Sequence, residues 1–364
     1  MDADTVPEED GLLFGCVLDG RGGARLVGWA DVAAWQDETG QDKTGQDEPG
    51  HDGKGHGGKG SGGKRGKGAA HRGGALWLHL DRDSPHAQRW LREASGLTPA
   101  TVDGMLAEET RPRVFRGRLG TVAILRGVNT NPHADPEDMV AIRMWSDGRR
   151  VITVRQRRLM TPRDILHRLL DTGDGPRDAA ELYERLIARL CERMASTVSA
   201  FEDALDELET GLEEDDPTRL RRQLSDARHD MVLLRRYMAP QREALNALVA
   251  DPPGWLGEHG RAGLRETTDR LTRYIEELDA ARERALVMRD DVTNRVAEST
   301  NRRLYVLSIV SAVFLPLGFI TGLLGINVGG MPGVDNANAF WIASLAMLAV
   351  LVLEIVVMRR MKWF

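Results

Sequence analysis

"LYVLSIVSAVFLPLGFITGLL", residues 304–324, is the stretch of this 364-residue chain that decides its fold. It contains no charged side chain, and a second stretch, 340–358, contains only Glu354. Each is about as long as a helix that crosses a ~30 Å hydrocarbon layer at ~1.5 Å per residue. The alternative is a pair of buried helices in a soluble core. Because both stretches lie side by side at the C-terminal end, we predict two membrane spans.

Basic residues around the two spans predict how the chain is oriented. They precede the first span and follow the second, and none lies in the 325–339 linker (Arg302, Arg303, Arg359, Arg360 and Lys362). Basic residues near spans stay on the cytoplasmic side. We therefore predict a multi-pass protein of the cell's inner (plasma) membrane with both termini cytoplasmic, an external loop at 325–339 and a basic cytoplasmic tail at 359–364. We interpret Glu354 as an interfacial residue that pairs locally with Arg359; a proton carrier is the alternative.

Residues 1–158 predict a cytoplasmic α/β domain. Short helical stretches interrupt strand-like segments, which lie within 11–35 and at 75–80, 120–127, 139–145 and 150–155. Residues 36–74 are rich in glycine and contain no large aliphatic or aromatic side chain. Such a segment buries too little apolar surface to offset its ordering entropy, so we predict a disordered insertion. Its three histidines leave a metal-binding tract as the alternative to a flexible spacer (His51, His56 and His71).

Residues 159–263 predict a helical region built around an antiparallel hairpin, with runs at 177–212 and 217–250. The first run ends with nine carboxylates between Glu202 and Asp216, whereas the second begins with basic residues. We interpret this charge pattern as a solvated face with ion pairs across the hairpin. The alternative is an acidic surface that concentrates cations near a pore mouth.

One long stalk helix is predicted at 264–324, continuous with the first span at 304–324. No Gly or Pro occurs between 264 and 315, and apolar residues recur at helical spacings (Leu271, Ile275, Leu278, Ala285, Met288, Val292 and Val296). A parallel bundle of copies would bury this apolar stripe. The stripe therefore suggests a symmetric oligomer whose central helices enter the membrane together.

A second stripe follows one face of the first span and consists mostly of small or polar residues. This candidate pore stripe leads to Gly325 (Asn301, Leu304, Ser308, Ser311, Leu315, Gly318 and Gly322). Gly318 and Gly322 form a G-x-x-x-G pair, which usually means close helix packing. Turned toward a symmetry axis, the same face would line a narrow pore with a constriction at Leu315. The pattern alone favours close packing.

Motifs of other functional classes are absent from the sequence. It has no Gly-rich phosphate loop and no nucleophile elbow. In "HLDRD", His79, Asp81 and Asp83 lack a nucleophile or a metal-ligand spacing, and we interpret them as turn residues. Cys16 and Cys191 predict ordinary buried thiols. The net charge of −6 argues against a nucleic-acid partner. We expect no enzymatic activity and no permanently bound cofactor.

The residues "GIN" at 325–327, after the first of two C-terminal spans, and the basic tail "MRRMKWF" resemble the CorA family of divalent-cation transporters, whose signature here is Gly-Met-Asn. The likeness covers most of the chain and implies that family's fold, an α+β cytoplasmic domain, long stalk helices and two membrane helices in a funnel-shaped pentamer. "GINVGGMPG" looks more like the ZntB branch, which is associated with zinc. Ile326 in place of Met, and Leu324 where magnesium transporters commonly have Tyr, argue against magnesium selectivity.

The resemblance also implies roles for residues of the external loop. Five copies of Asn327 would ring the outer mouth, where neutral amide oxygens can hydrogen-bond the water shell of a divalent cation. Gly325 would let the backbone turn there. Asp335 would attract cations to the entrance or merely keep the loop hydrated. The transported ion would be Zn²⁺; a Mg²⁺/Co²⁺ channel and a membrane-anchored scaffold or signalling protein are the alternatives.

Overall fold

The computed structural model describes residues 8–40, 74–108, 111–132, 134–211, 216–325 and 336–361. The chain divides into two compact units. The first comprises Met1–Glu213 and Arg222–Val287, and the second comprises Glu214–Arg221 and Met288–Phe364. The first unit holds an α+β sheet domain and most of the hairpin helices, and the second holds the apolar C-terminal helices.

A seven-stranded sheet forms the centre of the first unit. Its strands are β1 Leu12–Leu18, β2 Ala24–Val27, β3 Leu76–Asp81, β4 Arg113–Arg116, β5 Thr121–Gly127, β6 Val140–Ser146 and β7 Arg150–Arg155. Their spatial order is β2-β1-β3-β7-β6-β5-β4. Every neighbouring pair is antiparallel except β3 and β7, which run parallel. The first strand pair therefore joins the sheet through β3, and the β4–β7 meander completes it.

Three helices cover one face of the sheet: α1 Trp29–Gly40, α2 Pro85–Glu93 and α3 Pro99–Leu106. Ser84 and Thr98 cap α2 and α3, since each side chain accepts a hydrogen bond from the helix backbone and a proline follows in the first turn. The core beneath these helices contains Val32, Leu91 and Val102 together with even-numbered residues of β3, β5 and β7. Alternation along the strands places the odd-numbered residues on the opposite face.

On the opposite face lie α4 Met160–His167, a π-helical turn at Arg168–Thr172, and the long α5 Ala179–Thr210. Contacts between α5 and strands β5, β6 and β7 hold this layer to the sheet. Gly127 marks the closest approach, because a Cβ there would lie 2.7 Å from Leu190 and 2.9 Å from Leu159. Cys16 and Cys191 are both buried free thiols, as predicted.

Two elements of the sheet domain were not predicted from the sequence, α1 and β4. Residues 36–40 belong to α1 rather than to the start of an insertion. The helix is anchored because Trp29 and Trp35 pack against the core, and this packing outweighs the polar composition beyond them. The rest of the predicted insertion up to residue 73, with His51, His56 and His71, lies outside the described residues.

Three further helices complete the chain: α6 Pro217–Ala250, α7 Glu258–Leu324 and α8 Ala339–Arg360. The predicted start of the long helix at 264 was wrong, because α7 begins at Glu258 and includes Gly260 and Gly263. Gly263 lies against the carboxylate end of the Glu184 side chain on α5. Pro240 and Pro316 are both accommodated inside continuous helices.

The apolar stripe of α7 is already buried within a single chain. Leu271, Ile275, Leu278 and Ala285 are at most 2% exposed, and Met288 and Val292 are also buried. Only Val296, at 39%, remains exposed. Our argument that a bundle of copies is needed to bury this stripe was therefore wrong, because the chain's own helices cover it.

Ion pairs join the hairpin arms to α7. Arg284 of α7 pairs with Asp206, at 2.6 Å, and with Glu209, both on α5. Arg235 of α6 pairs with Asp279 of α7 at 2.6 Å. The predicted ion pairs across the hairpin are thus replaced, among the described residues, by pairs between each arm and α7. The acidic end of α5 is held by α7, and its exposed position limits each pair to about 1 kcal/mol or less.

Candidate functional site

The second unit contains two stretches long and apolar enough to cross a membrane, one within α7 and one in α8. Neither stretch is buried inside the chain. The alternative of two buried helices in a soluble core is therefore wrong. Exposed Leu, Val, Ile and Phe side chains cover both stretches, as lipid contact requires.

One side of the α7 span faces α8. Its half-buried residues recur at helical spacing (Ile309, Ala312, Val313, Pro316, Leu317 and Ile320). Ala312 lines an apolar pocket of about 300 Å³ together with Leu353, Val357 and Met358 of α8. This side is where the two spans of one chain contact each other.

The candidate pore stripe lies on the other side of α7. Every one of its residues is exposed in the single chain, including Asn301 and Leu304, and Leu315 is 73% exposed. At roughly 100° of rotation per residue, the stripe is centred nearly opposite the side that faces α8. A Cβ placed on Gly318 or Gly322 would meet nothing within 4 Å. Close packing of this G-x-x-x-G pair on α8 of the same chain is therefore not formed.

The stripe offers oxygen acceptors around a hydrophobic centre. The Ser308 hydroxyl donates to the Leu304 carbonyl at 2.8 Å, which uses its proton inside the helix. Its oxygen lone pairs remain free to accept hydrogen bonds from water around a cation. Ser311 lies one turn further along the same face, and Leu315 is the bulky apolar side chain between the serines and the glycines. The stripe thus combines hydroxyl oxygens with a bulky apolar side chain, and its predicted role as a pore lining stays a prediction.

Gly325 ends the span. Its N–H donates to the carbonyls of Thr321, at 2.9 Å, and Gly322, at 3.2 Å, which closes the last turn of the helix. The remaining predicted residues of the external loop, Ile326, Asn327 and Asp335, lie outside the described residues. Their roles stay predictions.

Glu354 is the one charged side chain within the apolar part of α8. The expected local ion pair with Arg359 is not formed among the described residues. Instead, Glu354 lines the pocket beside Ala312 and Met358, and its Oε2 atom has no hydrogen-bond partner. A helical projection of the sequence could have found this position, because Glu354 falls on the α8 side that carries Val357 and Met358.

His79 is not a turn residue, contrary to our interpretation. It lies within β3, 3% exposed, and its Nδ1 is 2.9 Å from the Thr153 hydroxyl on β7. Asp81 ends the same strand, and Asp83 lies in the turn that follows, where its N–H donates to Asp81. Across the described ranges, no group of three His, Cys, Asp or Glu side chains is placed to hold a metal ion.

Comparisons with known proteins agree on one family. The family model described as "CorA-like Mg2+ transporter protein" matches residues 72–360. The "Divalent cation transporter CmaX" of Pseudomonas aeruginosa is 38% identical over 368 residues, which cover 100% of both chains. The solved "structure of the full-length CmaX protein" superposes with a TM-score of 0.77 at 37% identity, and the match covers 98% of this chain and 99% of that one.

A second group of relatives is named for zinc. The "Zinc transport protein ZntB" of Yersinia enterocolitica is 34% identical over 290 residues, which cover 79% of this chain and 87% of the relative.

Proposed function

This chain belongs to the CorA family of divalent-cation transporters, and we propose that the ion it carries is Zn²⁺. It is a transporter and not an enzyme. Relatives named as zinc transport proteins, at 34% identity, support zinc. The sequence adds Ile326 in place of the signature Met and Leu324 at the end of α7, both departures from the magnesium pattern. A Mg²⁺/Co²⁺ channel is the second candidate, because the matching family description names Mg²⁺.

The observation that carries the proposed ion pathway is the exposed stripe on α7. It presents hydroxyl oxygens, two leucines and two bare glycines, and its end at Gly325 is followed directly by the two remaining signature residues. In the proposed pathway a hydrated cation meets a ring of Asn327 amides at the external mouth. It then passes the glycines, the Leu315 constriction and the Ser311 and Ser308 hydroxyls toward Asn301. Neutral oxygen ligands hold a divalent cation weakly enough to release it.

A ring requires several copies of the chain, and we propose a homopentamer with the stripe at its axis. The partners are thus other copies of the same chain, the lipid bilayer and the divalent cation. The arginines beside both spans support an orientation in the inner membrane with both termini cytoplasmic. Asp335, the one ionisable residue of the 325–339 loop, would add negative charge at the external mouth.

Ion flux into proteoliposomes tests the proposal. Purified protein would be reconstituted with a zinc-sensitive dye inside, and the assay repeated with a magnesium dye and with an imposed pH gradient. We expect Zn²⁺ flux that falls at least about tenfold in Asn327→Ala, the equivalent of about 1.4 kcal/mol in the barrier. Zinc flux should exceed magnesium flux, and its response to the pH gradient reports whether protons are coupled.

Asn338→Ala is the matched control. Asn338 is an asparagine of the same linker, directly before α8, and its side chain makes no capping hydrogen bond to that helix. It should transport like the wild type. If Mg²⁺ flux exceeds Zn²⁺ flux, the proposal of a zinc transporter fails and the Mg²⁺/Co²⁺ channel takes its place. Equal zinc flux in Asn327→Ala and wild type would remove the amide ring from the mechanism.

A further inference from the structure

A buried arginine lies in the sheet domain without an ionic partner among the described residues. Arg143 is on β6, only 1% exposed, and is one of the largest fully buried side chains. Its register neighbours are Ile124 on β5 and Val154 on β7, both apolar and fully buried. A guanidinium is always a strong hydrogen-bond donor and never an acceptor, so this position has to supply it with acceptors.

The protein provides hydrogen-bond acceptors for only one of the three guanidinium nitrogens of Arg143. Nη2 of Arg143 donates to the carbonyl of Ala107 at 2.6 Å and lies 3.4 Å from that of Glu108, at the end of α3. Nε and Nη1 have no hydrogen-bond partner. An unpaired buried charge costs several kcal/mol, so a bound group that accepted these N–H bonds would stabilise the site.

The charged side chains around Arg143 leave a net positive charge, which favours binding of an anion. Burial, together with the charges of Arg82 and Arg126, lowers its pKa to about 10, so the side chain is still a cation at neutral pH. Asp83 is the carboxylate that acts in the opposite direction. However, Asp83 is held by Arg82 at 2.9 Å. The local balance therefore remains positive.

Arg143 lines a pocket of about 250 Å³. Arg126 lies on one side of it, fixed by a 2.7 Å hydrogen bond to the Met139 carbonyl and by the Tyr237 ring 4.1 Å below its guanidinium. Arg157 and Gln156 are exposed at the opening. Two exposed carboxylates, Glu108 and Asp138, also line it, against three arginines. The volume is below the ~300–1,000 Å³ of pockets for drug-sized ligands, which indicates a small occupant.

We propose that this pocket binds a small oxyanion of the phosphate class, with the free N–H groups of Arg143 as its inner donors and Arg157 at the opening. Guanidinium groups match the several acceptor oxygens of such an anion. A divalent cation does not fit, because three arginines would repel it and the described lining residues include two exposed carboxylates against them. The site is separate from the candidate pore stripe, so binding can be measured without ion flux.

Calorimetric titration of the full-length protein in detergent tests this inference. Inorganic phosphate and AMP would be compared with sodium chloride at matched ionic strength, which separates a free phosphate from a phosphoryl group on a larger molecule. We expect saturable binding of phosphate, of AMP or of both, with one anion per chain. The affinity should fall at least tenfold in Arg143→Met and should weaken in Arg157→Gln.

Arg149→Gln is the matched control, since Arg149 is an exposed arginine in the turn between β6 and β7 and does not line the pocket. It should bind like the wild type. If Arg143→Met does not fold, the affinity of Arg157→Gln tests the proposal, because Arg157 is exposed and its replacement should leave the fold intact. Absence of saturable binding, competition by chloride at equal concentration, or unchanged affinity in Arg157→Gln and Arg143→Met would each overturn the proposal.

Discussion

His79, Thr153 and Trp77 form a polar cluster inside the sheet that fixes one histidine in its neutral form. The Thr153 hydroxyl donates to the Leu78 carbonyl and accepts from the Trp77 indole N–H. Its single proton is thus used, so Nδ1 of His79 must be the donor in their 2.9 Å contact. Burial lowers the pKa of His79 well below its usual value, and Arg155 and Arg163 add to this effect.

This lowered pKa predicts acid sensitivity of the sheet domain. In the unfolded chain a histidine has a pKa of about 6.5. Below that pH the unfolded state therefore binds a proton at this residue that the folded state does not bind. The free energy of unfolding should therefore fall by up to about 1.4 kcal/mol per pH unit below pH 6.5 through this residue. His79→Asn keeps an N–H donor toward Thr153 and should flatten that slope. Urea unfolding followed by near-ultraviolet circular dichroism of the tryptophans measures it.

His229→Asn serves as the control, because His229 is exposed on α6. Its slope below pH 6.5 should match that of the wild type. Equal slopes in wild type and His79→Asn would show that another group causes the acid sensitivity. The sequence alone could not reveal this cluster, since His79 and Thr153 are 74 positions apart and meet only through the parallel pairing of β3 with β7.

At the level of helices and strands, the sequence predicted elements wherever periodicity and turn residues agreed. The strands β3, β5, β6 and β7 and the helices α5, α6 and α8 lie within a few residues of their predicted positions. The short α1 and β4 were missed because tertiary packing holds them, through Trp35 in the case of α1. The start of α7 was missed because glycines usually end helices, whereas Gly260 and Gly263 lie inside this one.

The stripes of α7 show why a helical pattern alone does not identify its partner. Two faces of the same helix carry regular spacing, and the sequence cannot say which surface meets each one. The stripe around Leu271 is buried by helices of the same chain. The candidate pore stripe around Leu315 stays exposed. Only three-dimensional contacts separate these cases, and the role of the second stripe remains a prediction.

Leu315 provides a test at the level of the helix α7. As the bulky apolar residue between the serines and the glycines of the stripe, it should impede water and ions where the pathway is narrow. Leu315→Ser should lower that barrier, and a decrease of about 1.4 kcal/mol would raise zinc flux about tenfold. The proteoliposome assay with a zinc dye measures the change. Any loss of selectivity should appear as increased Mg²⁺ flux in the same variant.

Leu345→Ser is the matched substitution on α8, where Leu345 is 70% exposed compared with 73% for Leu315. Both variants place a serine in an exposed position of an apolar helix. Only the α7 variant should change flux. The same increase in both variants would indicate a general leak and would argue against a constriction at Leu315.

For the whole molecule, one face of the α7 span is left uncovered by the part of the chain that the structure describes. That face carries serine hydroxyls and glycines, which lipid chains solvate poorly, whereas the side facing α8 is covered. In the proposed homopentamer, these faces meet around the axis, where water and ions replace lipid. The uncovered stripe of the membrane span, rather than the buried stripe of the stalk, supports the proposed oligomer.

Cysteine cross-linking tests this arrangement directly. Ser311 lies on the candidate pore stripe, and Ala312, its neighbour, lies on the side that faces α8. Ser311→Cys should therefore form disulfides between copies when the protein is oxidised in membranes, and Ala312→Cys should form few. The native thiols should not interfere, because Cys16 and Cys191 are fully buried and burial raises the pKa of each to about 12. Thiols with such a pKa form little of the reactive thiolate at neutral pH.

The pattern of cross-links distinguishes the possible orientations of α7. Linked dimers that appear in Ser311→Cys but not in Ala312→Cys would support the stripe at the axis, and mass measurement of the unoxidised protein would give the number of copies. Stronger linking in Ala312→Cys would mean that the α8-facing side meets the neighbouring copy. Assembly into an oligomer without links at Ser311 would place the stripe away from the axis, and the pathway through Ser308, Ser311 and Leu315 would then have to be abandoned.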